Sequence, residues 1–346
     1  MRMEFLFWAG FGVAALLQRR RRTPTDRARR KEQMKFIKGL IRRFPVGSGH
    51  YGTVSVVSCT ESGNHFAMKT VKLQNKDADS IEREIGVGVM VAKKKQFLLP
   101  TLMAFHNGEK VFIIQEFCKG RSLNTQPCLA GGLPIDICRF LIAQAGLAIS
   151  YLHGSGVVHL DVKLENLFLE KNGYILLGDF GGCQYLRKHE TTASRKGTPE
   201  YMGPEVYTGK GVGQPADIWG LGVLLFRLLT GKLPFKEEGD SDRMLAEKIK
   251  KADWNKEIIL DLGCMPVFDL LSQVFQTNPE HRPDIECFLW HEFFDGMDWD
   301  ALEDRQIESP LLSWGKIEFT EPLPMSDSVR GKPVTSNKIA MMDASK

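Results

Sequence analysis

The sequence predicts an α+β fold, with strands in the amino-terminal part of the chain and helices in the larger remainder. Residues 44–46, 54–57 and 111–118 are rich in β-branched and aromatic residues and predict strands. Residues 134–152 carry apolar side chains at helical spacing over a length that suits a helix. At 346 residues, 43% of them hydrophobic, the chain is long enough for one large domain or two modest domains with a buried core.

The positive charge of the chain is confined to its amino-terminal segment. The first 44 residues hold 13 Lys and Arg against 3 Asp and Glu, a formal charge of +10, and the rest of the chain carries −6. We therefore expect no nucleic-acid partner for the body of the protein. Seven scattered Cys residues without a CxxC pair favour reduced thiols and give no zinc site.

An uncharged apolar run, FLFWAGFGVAALL at residues 5–17, precedes four arginines at 19–22. The run is short for a membrane-spanning helix, and its length suits the core of a signal peptide. We therefore expect membrane association or secretory targeting through residues 1–43. An organellar transit peptide and a non-targeting extension, which would leave the protein cytoplasmic, remain as alternatives.

Residues 27–44 predict a basic amphipathic helix. Lys and Arg alternate there with apolar residues at helical spacing, namely Met34, Ile37, Leu40, Ile41 and Phe44. Two alternatives carry equal weight. The helix either lies on an anionic membrane surface, or it packs on the following domain and leaves its basic face in solvent.

Residues 159–166, HLDVKLEN, combine the groups that phosphoryl transfer needs, and Asp179 follows thirteen residues later in the tripeptide DFG. Asp161 is a carboxylate placed to orient a hydroxyl nucleophile and accept its proton, and Lys163 supplies a cation for the developing charge. Asn166 and Asp179 offer the oxygen ligands that Mg²⁺ prefers. Each residue alone would suit a turn or a solvated charge pair, but their joint spacing predicts a catalytic site.

A glycine-rich segment at residues 47–54, GSGHYGTV, has the form GxGxxGxV, in which glycines let backbone amides approach phosphate oxygens. A dinucleotide-binding loop has a similar pattern, but it would continue into a helix. Here strands flank the loop on both sides. The loop residues predicted to contact a nucleotide are Gly47, Ser48, Gly49, His50, Tyr51 and Gly52.

From residue 44 to residue 294 the sequence resembles a eukaryotic serine/threonine protein kinase. The motifs above carry the resemblance, together with the Gly-Thr-Pro-Glu-Tyr sequence at 197–201. It implies a bilobal fold, with a small β-rich lobe at 44–118 and a large helical lobe at 119–294. It also implies a monomer that uses ATP and Mg²⁺ to phosphorylate Ser and Thr hydroxyls of protein substrates.

The resemblance assigns further nucleotide-binding residues. Lys69 would grip the α- and β-phosphates and pair with Glu84, with Glu82 as the fallback. The remaining contacts that it implies are made by Val54, Ala67, Glu116, Cys118 and Phe168. Gly86 and Gly88 follow Glu84 in the sequence. They either make this helix mobile or allow it to pack closely.

Most kinases carry Arg at the position of Leu160, where it binds a phosphate on the activation segment, which the resemblance places at residues 179–205. The resemblance therefore implies that activity does not depend on that phosphate, although Ser194 stands where related kinases are phosphorylated. The resemblance also pairs Glu205 with Arg282 and makes Asp217 a brace of the catalytic loop.

Residues 290–310 resemble the end of an AGC-group kinase domain, so we expect an AGC-like tail at 295–346 that is disordered from 325 onwards. Glu165 and Glu247 match positions where basophilic kinases receive substrate arginines, which predicts basic-directed specificity. Two other functions stay open: a pseudokinase that binds nucleotide without turnover, and a kinase for small molecules or lipids.

Overall fold

The computed structural model describes residues 24–49, 52–73, 78–92, 97–319 and 340–341. The apolar run at 5–17 lies outside them. The chain divides into two compact units, of which the first comprises Met1–Lys95, Leu99–Phe117 and Thr320–Lys346, and the second Gln96–Leu98 and Cys118–Phe319. The division after Phe117 lies one residue before the end predicted for the small lobe.

The first unit is built on an antiparallel sheet with the strand order β1-β2-β3-β5-β4-β10. Its strands are β1 (Leu40–Gly49), β2 (Gly52–Cys59), β3 (His65–Lys72), β4 (Thr101–His106), β5 (Lys110–Glu116) and β10 (Ala340–Met341). Two helices accompany the sheet, α1 (Pro24–Lys38) and α2 (Ala78–Val91). Successive side chains of a strand point to opposite faces, and each face has its own apolar cluster.

Helix α1 covers one face of this sheet. Ile37 is fully buried in a cluster with Met68, Phe112 and Ile114, and the ring of Phe36 meets Phe66 edge-on with centroids 5.4 Å apart. Of the two alternatives for this segment, the structure therefore shows the helix packed on the domain, because its apolar side chains are already used by the sheet.

The helix predicted at 27–44 is present as far as Lys38, and the prediction is wrong for residues 39–44. Helix α1 ends at Lys38, where the Gly39 amide still donates to the carbonyls of the last helical turn. Leu40, Ile41 and Phe44 belong to β1, which pairs with β2 from Leu40 opposite Cys59. The interstrand hydrogen bonds of β1 thus override the helical spacing of its apolar residues.

Helix α2 covers the opposite face, where Ile81 and Ile85 pack with Val71 and Ile113. At Gly88 the helix comes so close to β4 that an added Cβ would lie 2.1 Å from Oγ1 of Thr101. Of the two alternatives for the glycines of this helix, close packing is therefore shown at Gly88.

Replacing Gly88 with Ala is expected to lower the free energy of unfolding by about 1–3 kcal/mol, because the new methyl group overlaps Thr101 and pushes α2 away from β4. Urea denaturation measures the loss. The matched control is Gly154→Ala, since a Cβ at this helical glycine would meet nothing within 4 Å. Equal unfolding midpoints for the two variants would contradict the expectation.

The second unit is mainly helical. Its helices are α3 (Ile135–Gly154), α4 (Pro204–Thr208), α5 (Gln214–Thr230), α6 (Asp242–Lys251), α7 (Glu257–Leu260), α8 (Met265–Val274), α9 (Ile285–Leu289), α10 (Trp299–Glu303) and α11 (Pro310–Ser313). Helices α3 and α5 form the core. Among the described residues, α3 is the one helix long and apolar enough to cross a membrane, and 67% of its most apolar stretch is buried within the protein.

Two small two-stranded sheets of the second unit flank the predicted catalytic residues. Strand β6 (Val157–Val158) pairs with β9 (Gln184–Tyr185), and β7 (Leu167–Leu169) pairs with β8 (Ile175–Leu177). The HLDVKLEN segment therefore runs from β6 to β7, and Asp179 lies between β8 and β9. The pairing of β6 with β9 and of β7 with β8 brings both segments together.

The tail from residue 295 is an integral part of the second unit as far as Phe319. Leu302 and Leu311 are fully buried, and the Tyr174 hydroxyl donates to the Ile307 carbonyl over 2.7 Å. The segment predicted to be disordered lies mostly outside the described residues. For Ala340 and Met341 the prediction is wrong, because their backbone pairs with the open edge of β4.

Candidate active site

The catalytic loop, residues 159–166, is anchored by the carboxylate of Asp217, a residue near the start of α5 that is 1% exposed. Its Oδ2 accepts the amide hydrogen of His159 over 2.8 Å, and its Oδ1 accepts that of Leu160 over 2.7 Å. The ring of His153 lies 2.9 Å from the same Oδ2. Asp217 thus braces the loop as the sequence predicts, with a buried carboxylate satisfied by three partners.

Leu160 occupies the left-handed region of the backbone, with φ +65°. This conformation costs a non-glycine residue about 1–2 kcal/mol, which the hydrogen bonds from the His159 and Leu160 amides to Asp217 help to offset. The turn also requires glycine at position 197, because a Cβ there would lie only 2.7 Å from the Leu160 carbonyl oxygen. The turn at Leu160 sets the direction in which Asp161 leaves the chain.

Asp161 is the centre of a hydrogen-bonded network. Its Oδ2 lies 2.7 Å from Nζ of Lys163, and its Oδ1 accepts the Thr198 hydroxyl hydrogen over 2.9 Å. Lys163 also donates to Thr198 over 2.6 Å, which closes a triangle of three side chains. Asn166 adds bonds from Nδ2 to the carbonyl oxygen and to Oδ2 of Asp161, at 2.8 and 3.1 Å. These bonds fix the carboxylate in one orientation.

Thr198 was not among the predicted catalytic or binding residues. In the sequence it serves only to indicate the Ser/Thr class, through the Gly-Thr-Pro-Glu-Tyr sequence. The structure places its hydroxyl within hydrogen-bond distance of both predicted catalytic side chains. The signal that could have identified Thr198 is its position in that motif, although Thr198 lies 35 residues beyond Lys163 in the sequence.

The predicted magnesium ligands are joined through the backbone. The Gly178 amide donates to the Asn166 carbonyl over 2.9 Å, and the His159 ring lies 3.2 Å from the Gly178 carbonyl. Asp179 follows with φ +61°. Because the amide nitrogen of Asn166 faces Asp161, its amide oxygen is directed away from it. An amide oxygen and a carboxylate fit a Mg²⁺ ion that also takes phosphate oxygens and water.

The described part of the chain has no group of three or more His, Cys, Asp and Glu side chains that could hold a metal ion on its own.

In the first unit, Lys69 pairs with Glu84 across 2.5 Å, and both side chains are buried, at 9% and 2% exposure. Glu84 is therefore the partner, and Glu82 is not needed as the fallback. The pair joins β3 to α2. Because a buried charge is costly without its partner, the position of α2 decides whether Lys69 is held in this orientation.

Val54 and Ala67, two of the predicted nucleotide contacts, share the face of the sheet that carries Lys69. Val54 is directly opposite Lys69 in the β2–β3 pairing, and Ala67 lies two residues before it on β3. Glu116 ends β5, opposite Phe66. In the second unit Cys118 is buried, and Phe168 lies half-buried in β7 opposite Leu176.

The glycine-rich segment forms the hairpin of β1 and β2, with Gly47 opposite Val54 and Gly49 opposite Gly52. Gly52 has φ +136°, and a Cβ there would lie 2.3 Å from the Thr70 carbonyl oxygen. Only glycine fits that position. Ser48 lies in β1, whereas the predicted contacts His50 and Tyr51 lie outside the described residues.

The predicted pair of Glu205 and Arg282 is present and fully buried. Two bonds join the guanidinium to the carboxylate, at 2.9 and 2.7 Å, and the guanidinium stacks 4.8 Å above the Trp219 ring. Such a bidentate pair is the strong form of an ion pair. Its place is structural, since it ties α4 to the segment before α9.

The two carboxylates predicted to receive substrate arginines already have basic partners in this chain. Arg227 on α5 lies 3.4 Å from Glu165, and Lys250 lies 2.9 Å from Glu247. Sequence reasoning missed Arg227. The signal that could have found it is a single charge within the apolar run of α5 between 218 and 229.

Comparison with known proteins decides the family. A family model described as the protein kinase domain matches residues 42–294, nearly three quarters of the chain. The chain belongs to the protein kinase domain family. The match confirms the predicted α+β protein kinase fold, with the β-sheet in the amino-terminal region and the helices after it.

The kinase domain is similar to several curated kinases. It is 33% identical over 84% of the chain to 3-phosphoinositide-dependent protein kinase B of Dictyostelium discoideum, of which it covers 31%. It is 30% identical over 77% of the chain to atypical protein kinase C of Drosophila melanogaster, covering 46%. Human ribosomal protein S6 kinase alpha-3 is 33% identical over 77% of the chain and 37% covered. The chain thus spans 31–46% of the length of these relatives.

Proposed function

We propose that this chain is a serine/threonine protein kinase, related to the AGC group, that transfers the γ-phosphoryl group of ATP to protein substrates. The observation that carries the proposal is the closed triangle of Asp161, Lys163 and Thr198. Phosphoryl transfer depends on positioning and charge stabilisation, and this network holds a base and a cation in fixed positions. The protein kinases among the relatives support a protein kinase function.

In this proposal each predicted catalytic and metal-binding residue of the second unit has a defined role. Asp161 orients the acceptor hydroxyl and takes up its proton, and Lys163 offsets negative charge that develops on the transferred group. Asn166 and Asp179 would hold Mg²⁺, which when bound neutralises phosphate charge. The nucleotide itself would be held by Lys69 and the other predicted contacts, those of the glycine-rich hairpin included.

We further propose that the kinase is active without phosphorylation of its activation segment. Thr192 and Val212 exchange two backbone hydrogen bonds, each 2.9 Å long. The side chain of Thr191 packs closely against Gly211, where an added Cβ would lie 2.6 Å from the Thr191 hydroxyl oxygen. These contacts anchor the segment without a phosphate. They agree with Leu160 in place of the usual phosphate-binding Arg.

The test is phosphate transfer from labelled ATP to Ser and Thr peptides, using unphosphorylated protein made in cells without other kinases. We expect turnover on the order of 1–100 s⁻¹, and its loss when Mg²⁺ is chelated. Tight ATP binding without transfer to any Ser or Thr peptide would contradict the proposal and favour the pseudokinase alternative.

Basic-directed specificity remains a prediction from the sequence. The partners of both carboxylates weigh against it, because Arg227 and Lys250 offset the negative charge that a substrate arginine would seek.

The domain division at 44–294, the monomeric state and the targeting role of residues 1–43 also remain proposals. Because Ile37 and Leu40 are buried in the sheet, a membrane or secretory address would depend on the run at 5–17. Imaging the full chain against a chain lacking residues 1–23, which retains α1, tests this. The same diffuse cytoplasmic signal from both would leave the cytoplasmic alternative.

A further inference from the structure

Arg227, near the carboxyl end of α5, has three partners in the second unit. Nη1 donates to the Tyr201 hydroxyl over 2.8 Å and lies 3.4 Å from Oε1 of Glu165. Nη2 donates to the Asn124 side-chain oxygen over 2.7 Å. We call these four residues the Arg227 pocket. The three partners of Arg227 offer a carboxylate, a hydroxyl and an amide oxygen, which together make a binding site for a guanidinium.

The Arg227 pocket adjoins the catalytic network on two sides. Glu165 directly precedes Asn166, which donates to Asp161, and Tyr201 follows three residues after Thr198. Asn124 is held near Glu165, because the hydroxyl of Ser122 donates to the carbonyl of Leu164 over 3.0 Å. A peptide whose acceptor hydroxyl reaches Asp161 therefore has its neighbouring residues within reach of the pocket.

The carboxylate of Glu165 can accept hydrogen bonds beyond the one from Arg227. Its Oε2 is buried and has no hydrogen-bond partner among the described residues. The bond of its Oε1 to Arg227 is long, at 3.4 Å, and the two side chains are 40% and 24% exposed. A carboxylate with an unmet buried oxygen binds an additional donor favourably.

The hydroxyl of Tyr201 remains a neutral partner. Burial raises the pKa of Tyr201 to about 12, although the charge of Arg227 lowers it. The pocket therefore contains one negative group, Glu165, and one positive group, Arg227. A substrate arginine that entered it would meet a site with no net charge and with its guanidinium position already filled.

We propose that Arg227 determines substrate specificity by occupying, from within the chain, a pocket that would otherwise bind an arginine of the peptide substrate. This inference rests on the proposed kinase function and states which peptide substrates that same site would prefer. The wild-type kinase then gains nothing from a substrate arginine near the acceptor. Removing the guanidinium of Arg227 exposes Glu165 and creates a preference for arginine.

The test compares the wild type with Arg227→Met, which keeps the unbranched apolar stem of the side chain and removes its charge. The substrates are a peptide without basic residues and five versions of it, each with one arginine at a different position before the acceptor Ser. We expect values of kcat/KM within about threefold of one another for the wild type. For Arg227→Met we expect about a tenfold gain at one arginine position, expressed in KM.

Two controls separate this role from a structural one. Arg227→Lys restores a cation and is expected to restore the flat profile of the wild type. Adding Glu165→Gln to Arg227→Met is expected to abolish the gain, because the carboxylate that receives the arginine is lost. Thermal unfolding of each variant shows that the fold is intact.

Two results would overturn the inference. The first is a wild-type preference for arginine that Glu165→Gln removes, and the second is a folded Arg227→Met variant with an unchanged profile. Fluorescence anisotropy of the labelled peptides, measured without ATP, gives the same comparison by binding alone. Gain of binding without turnover would therefore support the pocket while contradicting the proposed function, so the two failures are distinguishable.

Discussion

Asp161→Asn is expected to lower kcat for peptide phosphorylation by about 10²–10⁴-fold. The amide that replaces the carboxylate keeps the size of the side chain, but it cannot take up the proton of the acceptor hydroxyl. The remaining partners, Lys163 and Thr198, both donate towards this position. An amide offers them one acceptor oxygen where the carboxylate offered two, so the network is also weakened.

ATP binding is expected to remain near the wild-type level in this variant, because no predicted nucleotide contact is altered. The assay pairs single-turnover transfer from labelled ATP with direct measurement of nucleotide affinity. A matched control is Asp136→Asn, an acidic residue on α3 whose carboxylate is 82% exposed and pairs with Arg139. Unchanged turnover in Asp161→Asn would remove the proposed base.

Glu205→Gln is expected to lower the free energy of unfolding by about 3–5 kcal/mol. The substitution keeps the shape of the side chain but leaves the charge of Arg282 uncompensated at a site with no exposed area on either partner. The stacking of Arg282 on Trp219 holds the guanidinium in place, so it has no route to solvent. Urea denaturation of the purified protein measures the loss.

The control for Glu205→Gln is the same change at Glu247, which pairs with Lys250 on the surface of α6. Exposed ion pairs contribute little because solvent screens them, so Glu247→Gln is expected to leave the unfolding midpoint unchanged. Similar losses in both variants would show that burial of the pair at Glu205 is not what stabilises it.

The sequence was most informative where chemistry and backbone geometry both restrict the residue type. Asp161, Asn166 and Asp179 lie on connected loops, and their spacing in the chain already indicates that they act together. The pair of Lys69 and Glu84 could also be anticipated, because a buried lysine on a strand needs a carboxylate and the following helix supplies one. These are local or motif-based inferences.

The features that could not be predicted depend on which elements meet in space. Arg227 and Glu165 are 62 residues apart, and no periodicity indicates that α5 brings them together. The end of α1 was misplaced for a similar reason. Residues 40–44 have helical spacing, and only the partner strand β2 decides that they are extended. Backbone pairing of Ala340 and Met341 with β4 likewise has no signal in a polar segment.

The packing of α1 on the sheet sets a limit on how the protein can be shortened. A fragment cut at residue 44 would begin inside β1 and would lose Ile37 and Leu40. The apolar residues beneath them, among them Phe105 and Phe112, would then face water and make the fragment prone to aggregate. Recombinant fragments, and any natural proteolytic cut that releases an intact enzyme, should therefore retain the chain from Pro24 onwards.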